Sequence, residues 1–192
     1  MKQRKHLMQN EVKIILDAAL KSVNPERDYC LIYMSFLHGC RVSEISQMQI
    51  SDINIAGSCL YLRRLKNGLS TMHPMIKSEI VALQRWLKIR ASFKGAETDW
   101  LFLSKKGNHL SRQRIYALLR YYGELAGLTV KAHPHMLRHA CGYALADKGV
   151  DTRLIQDYLG HRNIAHTVRY TASNSYRFRT IWQSGEVVFD ES

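Results

Sequence analysis

The chain has 192 residues, which is enough for one domain. Lys and Arg number 28 against 16 Asp and Glu, so the net charge is +12 and an acidic partner is the first to look for. The 46% hydrophobic content excludes a disordered basic tail. No apolar run approaches the roughly 20 residues that a membrane helix needs, which excludes a membrane span. The four cysteines are scattered and favour neither a disulfide framework nor a cysteine-rich zinc site. We expect a soluble, cytoplasmic protein.

The first part of the chain carries three helical patterns. Apolar residues at helical spacing over 12–20 predict the first helix. A second helix is expected to begin at Asn24-Pro25, a cap followed by a first-turn proline, and to end at Gly39. A third, short helix is expected to be capped by Ser43 and to reach Met48.

The next part changes to the periodicity of strands. Residues 59–64 and 69–75 are predicted to pair as two strands around Lys66-Asn67-Gly68, because Asn-Gly favours a tight hairpin turn. A helix is expected over 78–90, and a third strand over 100–103.

The second half of the chain is predicted to be helical. Ser111 is expected to cap a helix that ends before Gly127, and further helices are expected over 134–148, 152–159 and 163–170. No linker, repeat or low-complexity block divides the sequence. We therefore expect one domain over 1–192, mainly α with a small antiparallel β-sheet (α+β).

One segment combines residues that suit an anion. His135-Met136-Leu137-Arg138-His139 opens a predicted helix, and helical spacing places His135, Arg138 and His139 on one face. Such donors near a helix N-terminus suit a phosphate. A solvated basic face is an alternative. A zinc site on His135 and His139 is another, although no Glu follows the first histidine as in H-E-x-x-H.

Three further residues have ordinary structural explanations when each is taken alone. Arg41 could pair with Glu44 three residues later. His161, in Leu159-Gly160-His161-Arg162, could cap a helix or pack in the core. Tyr170, nine residues after His161, is one of ten tyrosines.

Taken together, these segments resemble the catalytic set of the tyrosine recombinases, the integrase family. The matching elements, in chain order, are Arg41-Val42-Ser43-Glu44, Lys66 in the predicted hairpin, His135-Met136-Leu137-Arg138-His139, Leu159-Gly160-His161 and Tyr170. The segments around Lys66, His139, His161 and Tyr170 are further similar to the short recombinases that invert fimbrial promoter elements. The resemblance implies the tyrosine recombinase catalytic-domain fold.

The resemblance implies a role for each matching residue. Tyr170 would be the nucleophile that forms a 3′-phosphotyrosine, Arg41 and Arg138 would hold the phosphate, and His161 would hydrogen-bond it. Lys66 would protonate the leaving 5′-hydroxyl, and His135 would handle the proton of the nucleophile. Glu44 and His139 would support these groups. Because the covalent intermediate conserves the bond energy and arginines supply the positive charge, no cofactor or metal is expected.

The resemblance also implies the partners. The DNA partner is double-stranded and carries inverted repeat sites, and accessory DNA-bending proteins are expected to take part. The protein is expected to form a homotetramer at synapsis and to be a monomer or weak oligomer when free. Its expected location is cytoplasmic and nucleoid-associated, without a membrane. The residues expected to contact DNA are Arg63, Arg64, Lys105, Lys106, Arg112, Arg114 and Arg120. Among them, Arg112 and Arg114 are the candidates for reading bases.

Residues 171–192 are expected to form a C-terminal tail. A helix over 173–182 and the run Val187-Val188-Phe189 carry apolar side chains that either fold back on the core or, through Trp182 and Phe189, dock on a neighbouring protomer. A separate N-terminal DNA-clamping domain is not expected. Two other functions stay open: a DNA-binding transcriptional regulator that keeps the fold without the chemistry, and a type IB topoisomerase that only nicks and reseals.

Overall fold

The computed structural model describes residues 4–64 and 70–172. Within these ranges the α-helices are α1 (Gln9–Ala19), α2 (Pro25–Leu37), α3 (Val42–Ser46), α4 (Lys77–Arg90), α5 (Arg112–Leu125), α6 (Pro134–Asp147), α7 (Thr152–Leu159) and α8 (Ala165–Ala172). The strands are β1 (Ile53–Asn54), β2 (Cys59–Leu62) and β3 (Thr71–Pro74), and a 3₁₀ turn, Ile50–Asp52, precedes β1. The predicted class, mainly α with a small antiparallel sheet, is confirmed.

Local sequence signals account for the ends of the helices that border the site. The proline at the start of α2 lacks a backbone N–H, which costs nothing there because the N–H groups of a helix's first turn have no partner within the helix. Gly39, after α2, and Gly160, after α7, have φ angles of +56° and +63°, which a residue without a Cβ adopts at little cost. Ser111 caps α5 as predicted, since its Oγ accepts a hydrogen bond from the Arg114 N–H at 3.2 Å.

Helix α3 differs from its prediction at both ends. Ser43 lies inside the helix, and the residue at the N-cap is Arg41. The Glu44 carboxylate reaches back and accepts the Arg41 backbone N–H at 2.8 Å, so Glu44, and not Ser43, satisfies the free end of the backbone. The helix ends at Ser46, before the predicted Met48.

The sheet has the order β1-β2-β3 and is antiparallel throughout. In β2 and β3, Leu60 pairs with His73 and Leu62 pairs with Thr71, which confirms the two predicted strands. The third strand is β1, so the prediction of a strand over 100–103 is wrong.

Residues 100–103 form only isolated bridges, because side chains take up backbone groups that a strand would need. The Arg90 guanidinium donates to the Trp100 carbonyl oxygen at 3.0 and 2.7 Å. The Trp86 indole donates to the Leu101 carbonyl oxygen at 2.9 Å. Those two carbonyl oxygens are occupied by side chains where a partner strand would bond.

Two apolar clusters hold the fold together. The larger one packs α1, α2, α4, α5 and α6 against β2 around Trp86 and Tyr122. The smaller one lies between α6, α7 and α8 and consists of Cys141, Ala146, Ile155, Leu159 and Tyr170. Tyr170 is thus part of a core, which fixes the orientation of its ring. None of the helices that the structure describes is long and apolar enough to cross a membrane.

Candidate active site

Arg138 joins the three segments that form the site. It lies on the first turns of α6 and is only 2% exposed. One Nη1 hydrogen bond goes to the Gly39 carbonyl oxygen at 2.6 Å, in the turn between α2 and α3, and one from Nη2 goes to the Leu159 carbonyl oxygen at 2.7 Å, at the end of α7. The guanidinium therefore fixes the turn that carries Arg41 and the segment that leads to His161.

Arg138 lies close to other positively charged side chains. Burial lowers its pKa to about 10, and the charges of Arg41 and Arg64 act in the same direction. The group is still protonated at neutral pH. One buried carboxylate, that of Glu44, faces these three guanidinium groups, so the pocket has an excess of positive charge and favours an oxyanion.

Glu44 is a shared acceptor with no exposed side-chain surface. Its Oε1 accepts a hydrogen bond from Arg41 Nη1 at 2.7 Å, and its Oε2 accepts one from Arg64 Nη1 at 2.8 Å. Burial would raise the pKa of this carboxyl, but the charge of Arg64 and the hydrogen bonds from Arg41 lower it below its usual value. Arg41 keeps 28% of its side chain exposed, so it can contact a bound ligand.

Tyr170 and His139 are in direct contact. The Tyr170 hydroxyl and His139 Nδ1 are 2.9 Å apart, and Tyr170 is only 1% exposed. Burial raises the pKa of Tyr170 to about 12; burial, followed by the nearby His135, lowers the pKa of His139 to about 4. Both groups are therefore neutral at physiological pH. A Cβ at Gly142 would lie 2.6 Å from Tyr170 Cε2, so the ring needs a glycine at this point of α6.

The other two histidines flank this pair. The His161 ring lies 6.3 Å from the Tyr170 ring at an interplanar angle of 21°, and its Nδ1 hydrogen-bonds Thr167 Oγ1 at 2.9 Å. Burial and the charge of Arg138 lower the pKa of His161 to about 3. His135 is exposed, and its ring lies 4.7 Å from that of His139. The structure thus places His139 and His161 beside Tyr170, and His135 beside His139.

Sequence reasoning missed two contacts in this pocket. It treated His139 only as a supporting residue, whereas His139 touches the tyrosine hydroxyl. It did not single out Thr167, which orients His161, because a threonine six residues after a histidine has no distinctive pattern. Both contacts arise from the packing of α8, which the spacing within one helix does not encode.

The expected DNA-binding residues fall into two groups. Lys105, Lys106, Arg112, Arg114 and Arg120 are exposed, and Arg63 is 54% exposed and bonded to Asp52 at 2.6 Å. Lys105, Lys106 and Arg114 line one cleft of about 640 Å³ at the start of α5. The prediction for Arg64 is wrong, because its side chain has no exposed surface and is held inside the protein by Glu44. Lys66 and the tail residues Trp182 and Phe189 lie outside the described residues.

The alternative of a zinc site on His135 and His139 lacks a third ligand among the described residues. Within 4–64 and 70–172, no group of three His, Cys, Asp or Glu side chains is placed to hold a metal ion. His139 directs its Nδ1 at the Tyr170 hydroxyl.

Comparison with known proteins identifies the family of this chain. The sequence matches the phage integrase family over residues 5–177. It is 54% identical over 181 residues to the type 1 fimbriae regulatory protein FimB of Escherichia coli K12, covering 94% of this chain and 90% of that protein. It is 48% identical over 189 residues to FimE of the same strain, covering 98% and 96%.

The fold also matches a solved recombinase. The crystal structure of the XerH site-specific recombinase bound to palindromic difH substrate, a post-cleavage complex, has a TM-score of 0.78 and 27% identity, covering 93% of this chain and 53% of that one. The match over residues 5–177 includes Arg41, the α6 histidines and Tyr170. The chain therefore belongs to the phage integrase family, whose members are the tyrosine recombinases.

Proposed function

We propose that this protein cuts and rejoins double-stranded DNA at specific sites through a 3′-phosphotyrosine on Tyr170. The observation that carries the proposal is the contact between the Tyr170 hydroxyl and His139, set beside the buried guanidinium of Arg138. A nucleophile, a hydrogen-bonding base and fixed cations are the parts that phosphodiester cleavage needs.

The arginines stabilise the charge that develops on the phosphate. A transition state for attack on phosphorus places negative charge on the non-bridging oxygens, and a guanidinium can donate two parallel hydrogen bonds to them. Arg41 has the exposed edge required for such a contact. Arg138 has two donors committed to carbonyl oxygens, which leaves its remaining N–H groups for the phosphate.

The nucleophile needs help to lose its proton, because burial raises the pKa of Tyr170 to about 12. In the neutral form with the proton on Nε2, His139 accepts the hydroxyl hydrogen through Nδ1 and aims the oxygen lone pairs at the phosphorus. As the bond to phosphorus forms, the hydroxyl proton moves to His139 Nδ1, and His139 gives up its Nε2 proton to His135, which is exposed and whose ring lies 4.7 Å from that of His139. The 5′-oxygen leaves with a proton from Lys66, and His161 hydrogen-bonds the phosphate.

The biological substrate in this proposal is a promoter-bearing DNA segment between inverted repeats, whose inversion switches fimbrial gene expression. The support is the similarity over 90% or more of the length of FimB and FimE, which are regulatory proteins of type 1 fimbriae by name. Inversion joins two sites of two half-sites each, so a homotetramer assembles at synapsis. The tail over 171–192 links neighbouring protomers in this assembly.

The test is an inversion assay. The DNA flanking the gene is searched for an inverted repeat pair around a promoter, the segment is placed in a supercoiled plasmid, and amplification across one repeat reports its orientation after incubation with the protein. We expect both orientations to appear without ATP or added metal, and none with Tyr170→Phe. Relaxed plasmid without inversion would indicate a topoisomerase, and binding with neither product would indicate a regulator.

A further inference from the structure

We propose that Arg64 is a positioning residue that holds the two halves of the phosphate pocket, the α2–α3 turn with Arg41 and the end of α7 before His161, at a fixed separation. The inference rests on the proposed function, since it assumes that Arg41 and His161 act on a phosphate. Arg64 is not among the residues to which the resemblance gives a role in the chemistry.

The first support is the set of partners that Arg64 binds. Its Nη1 donates to Glu44 Oε2 at 2.8 Å, and its Nη2 donates to the carbonyl oxygens of His38, at 3.2 Å, and Tyr158, at 2.5 Å. The side chain has no exposed surface. One guanidinium therefore joins the end of α2 and the neighbouring α3 to the last turn of α7, which is far from both in sequence.

The second support is the parallel with Arg138. Arg138 donates to the carbonyl oxygens of Gly39 and Leu159, while Arg64 donates to those of the preceding residues, His38 and Tyr158. Two guanidinium groups thus connect the same two segments through consecutive carbonyl oxygens. Removing either one leaves buried acceptors without a partner, which proteins tolerate poorly.

The third support is the close packing of Arg64 against the turn that leads to His161. Gly160 follows α7 with a left-handed φ, and a Cβ at that position would lie 3.1 Å from both Cγ and Nε of Arg64. The backbone N–H of Arg64 is also fixed, since it donates to Ser70 Oγ at 3.1 Å. The Arg64 side chain therefore packs directly against the turn that leads to His161.

The fourth support is electrostatic and leads to Arg41. Glu44 has no exposed side-chain surface, and the charge of Arg64 opposes the effect of burial and keeps the carboxyl ionised. In that form Glu44 accepts both the side chain and the backbone N–H of Arg41, at 2.7 and 2.8 Å. If Arg64 is lost, Glu44 takes up a proton more readily and Arg41 loses its fixed geometry.

The experiment compares two versions of a suicide DNA substrate. One has an ordinary scissile phosphate, and the other has a methyl group in place of one non-bridging oxygen. The methyl group removes the charge that Arg41 stabilises, so a variant that acts through Arg41 is expected to lose less activity on it. Covalent protein–DNA adduct is measured under single-turnover conditions, with thermal unfolding to verify the fold.

We expect Arg64→Lys, which keeps the charge but lacks the planar fork, to slow adduct formation on ordinary DNA by on the order of 10²-fold, the size of a small misplacement of catalytic groups. On the methylated substrate the loss is expected to be clearly smaller, as it is for Arg41→Ala. Arg90→Lys is the matched control. Arg90 is equally buried and also donates to backbone carbonyl oxygens, those of Ala96, Thr98 and Trp100, away from the site.

Equal losses for Arg64→Lys on the two substrates, or no loss on either, would overturn the proposal. If Arg64→Lys fails to fold, Arg64→Gln, whose side-chain amide can still donate a hydrogen bond to Glu44, is measured in its place under the same criteria. The wild type and Arg41→Ala separate this inference from the proposed function. Absence of adduct with the wild type refutes both, whereas with a normal wild type and a normal response of Arg41→Ala, the Arg64 variants alone decide whether the positioning role holds.

Discussion

The arginines of this protein occupy two contrasting environments. Arg64 and Arg138 are buried, and each of their Nη atoms donates at least one hydrogen bond to a carbonyl or carboxylate oxygen. Arg112, Arg114 and Arg120 lie on the exposed face of α5. The same side chain is therefore suited to two different purposes: a rigid charge can organise a reacting phosphate, while solvated charges can attract the backbone of a long polyanion.

The largest effect is expected for Arg138→Lys. The lysine keeps a charge but cannot bond the Gly39 and Leu159 carbonyl oxygens while facing the phosphate. The rate of covalent adduct formation is expected to fall on the order of 10²–10³-fold. DNA affinity, measured by fluorescence anisotropy, should change little. A loss of affinity as large as the loss of rate would erase the distinction between the two groups.

A smaller effect is expected from changing the partner of the nucleophile. His139→Phe removes the acceptor at Nδ1 and should slow adduct formation by about 10²-fold, the lower end for proton-transfer groups. His139→Asn is the matched variant, because its Oδ1 lies near the position of Nδ1 and can still accept the hydroxyl hydrogen. We expect it to be faster than His139→Phe. Two equally slow variants would show that the contact does not orient Tyr170.

The exposed group should respond differently. Arg112→Ala or Arg114→Ala, if the side chain reads a base, is expected to weaken binding to the specific site by about 1–3 kcal/mol and binding to random DNA much less. Lys105→Ala is the comparison, since loss of a phosphate contact weakens binding to all sequences alike and lowers the slope of log K against log salt by about 0.9. Equal losses on both DNAs for Arg112 and Arg114 would remove them as base readers.

The smallest expected effect is the contribution of one buried histidine, His73, to the pH dependence of stability. Burial, with the nearby His38, lowers the pKa of His73 from 6.5 to about 3. Between these values the unfolded chain binds a proton that the folded protein does not, so this histidine makes stability fall as pH falls below about 6.5. The slope is at most about 1.4 kcal/mol per pH unit.

His73→Gln is expected to flatten the pH dependence of the unfolding free energy between pH 6.5 and 5. Denaturant titrations at each pH measure it. An unchanged slope in the variant would contradict the assignment of that dependence to His73.

The sequence predicted most of the fold, and the errors have identifiable physical causes. Helical periodicity and capping residues located the ends of the long helices to within three residues, because those signals are local. The strand expected over 100–103 is absent, since Trp86 and Arg90 of the preceding helix α4 occupy two of its carbonyl oxygens. A propensity for β-structure says nothing about which backbone groups a remote side chain will take.

For the candidate site, too, the sequence identified local motifs but not the contacts between distant segments. The motifs around Arg41, Arg138 and Tyr170 identified residues that the structure brings together. The burial of Arg64 and the contact of His139 with Tyr170 were missed, because each depends on segments that meet only in the folded chain. Net charge indicated an acidic partner, yet it could not distinguish a structural arginine such as Arg64 from an exposed one such as Arg112.

The most direct test of the account is to find the residue that becomes bonded to DNA. The protein is incubated with a suicide substrate, digested, and the DNA-linked peptide is identified by mass spectrometry. We expect the adduct on Tyr170 alone, with no adduct from Tyr170→Phe, which lacks one hydroxyl but should fold and bind DNA like the wild type. An adduct on another residue, or one that persists in Tyr170→Phe, would contradict the account.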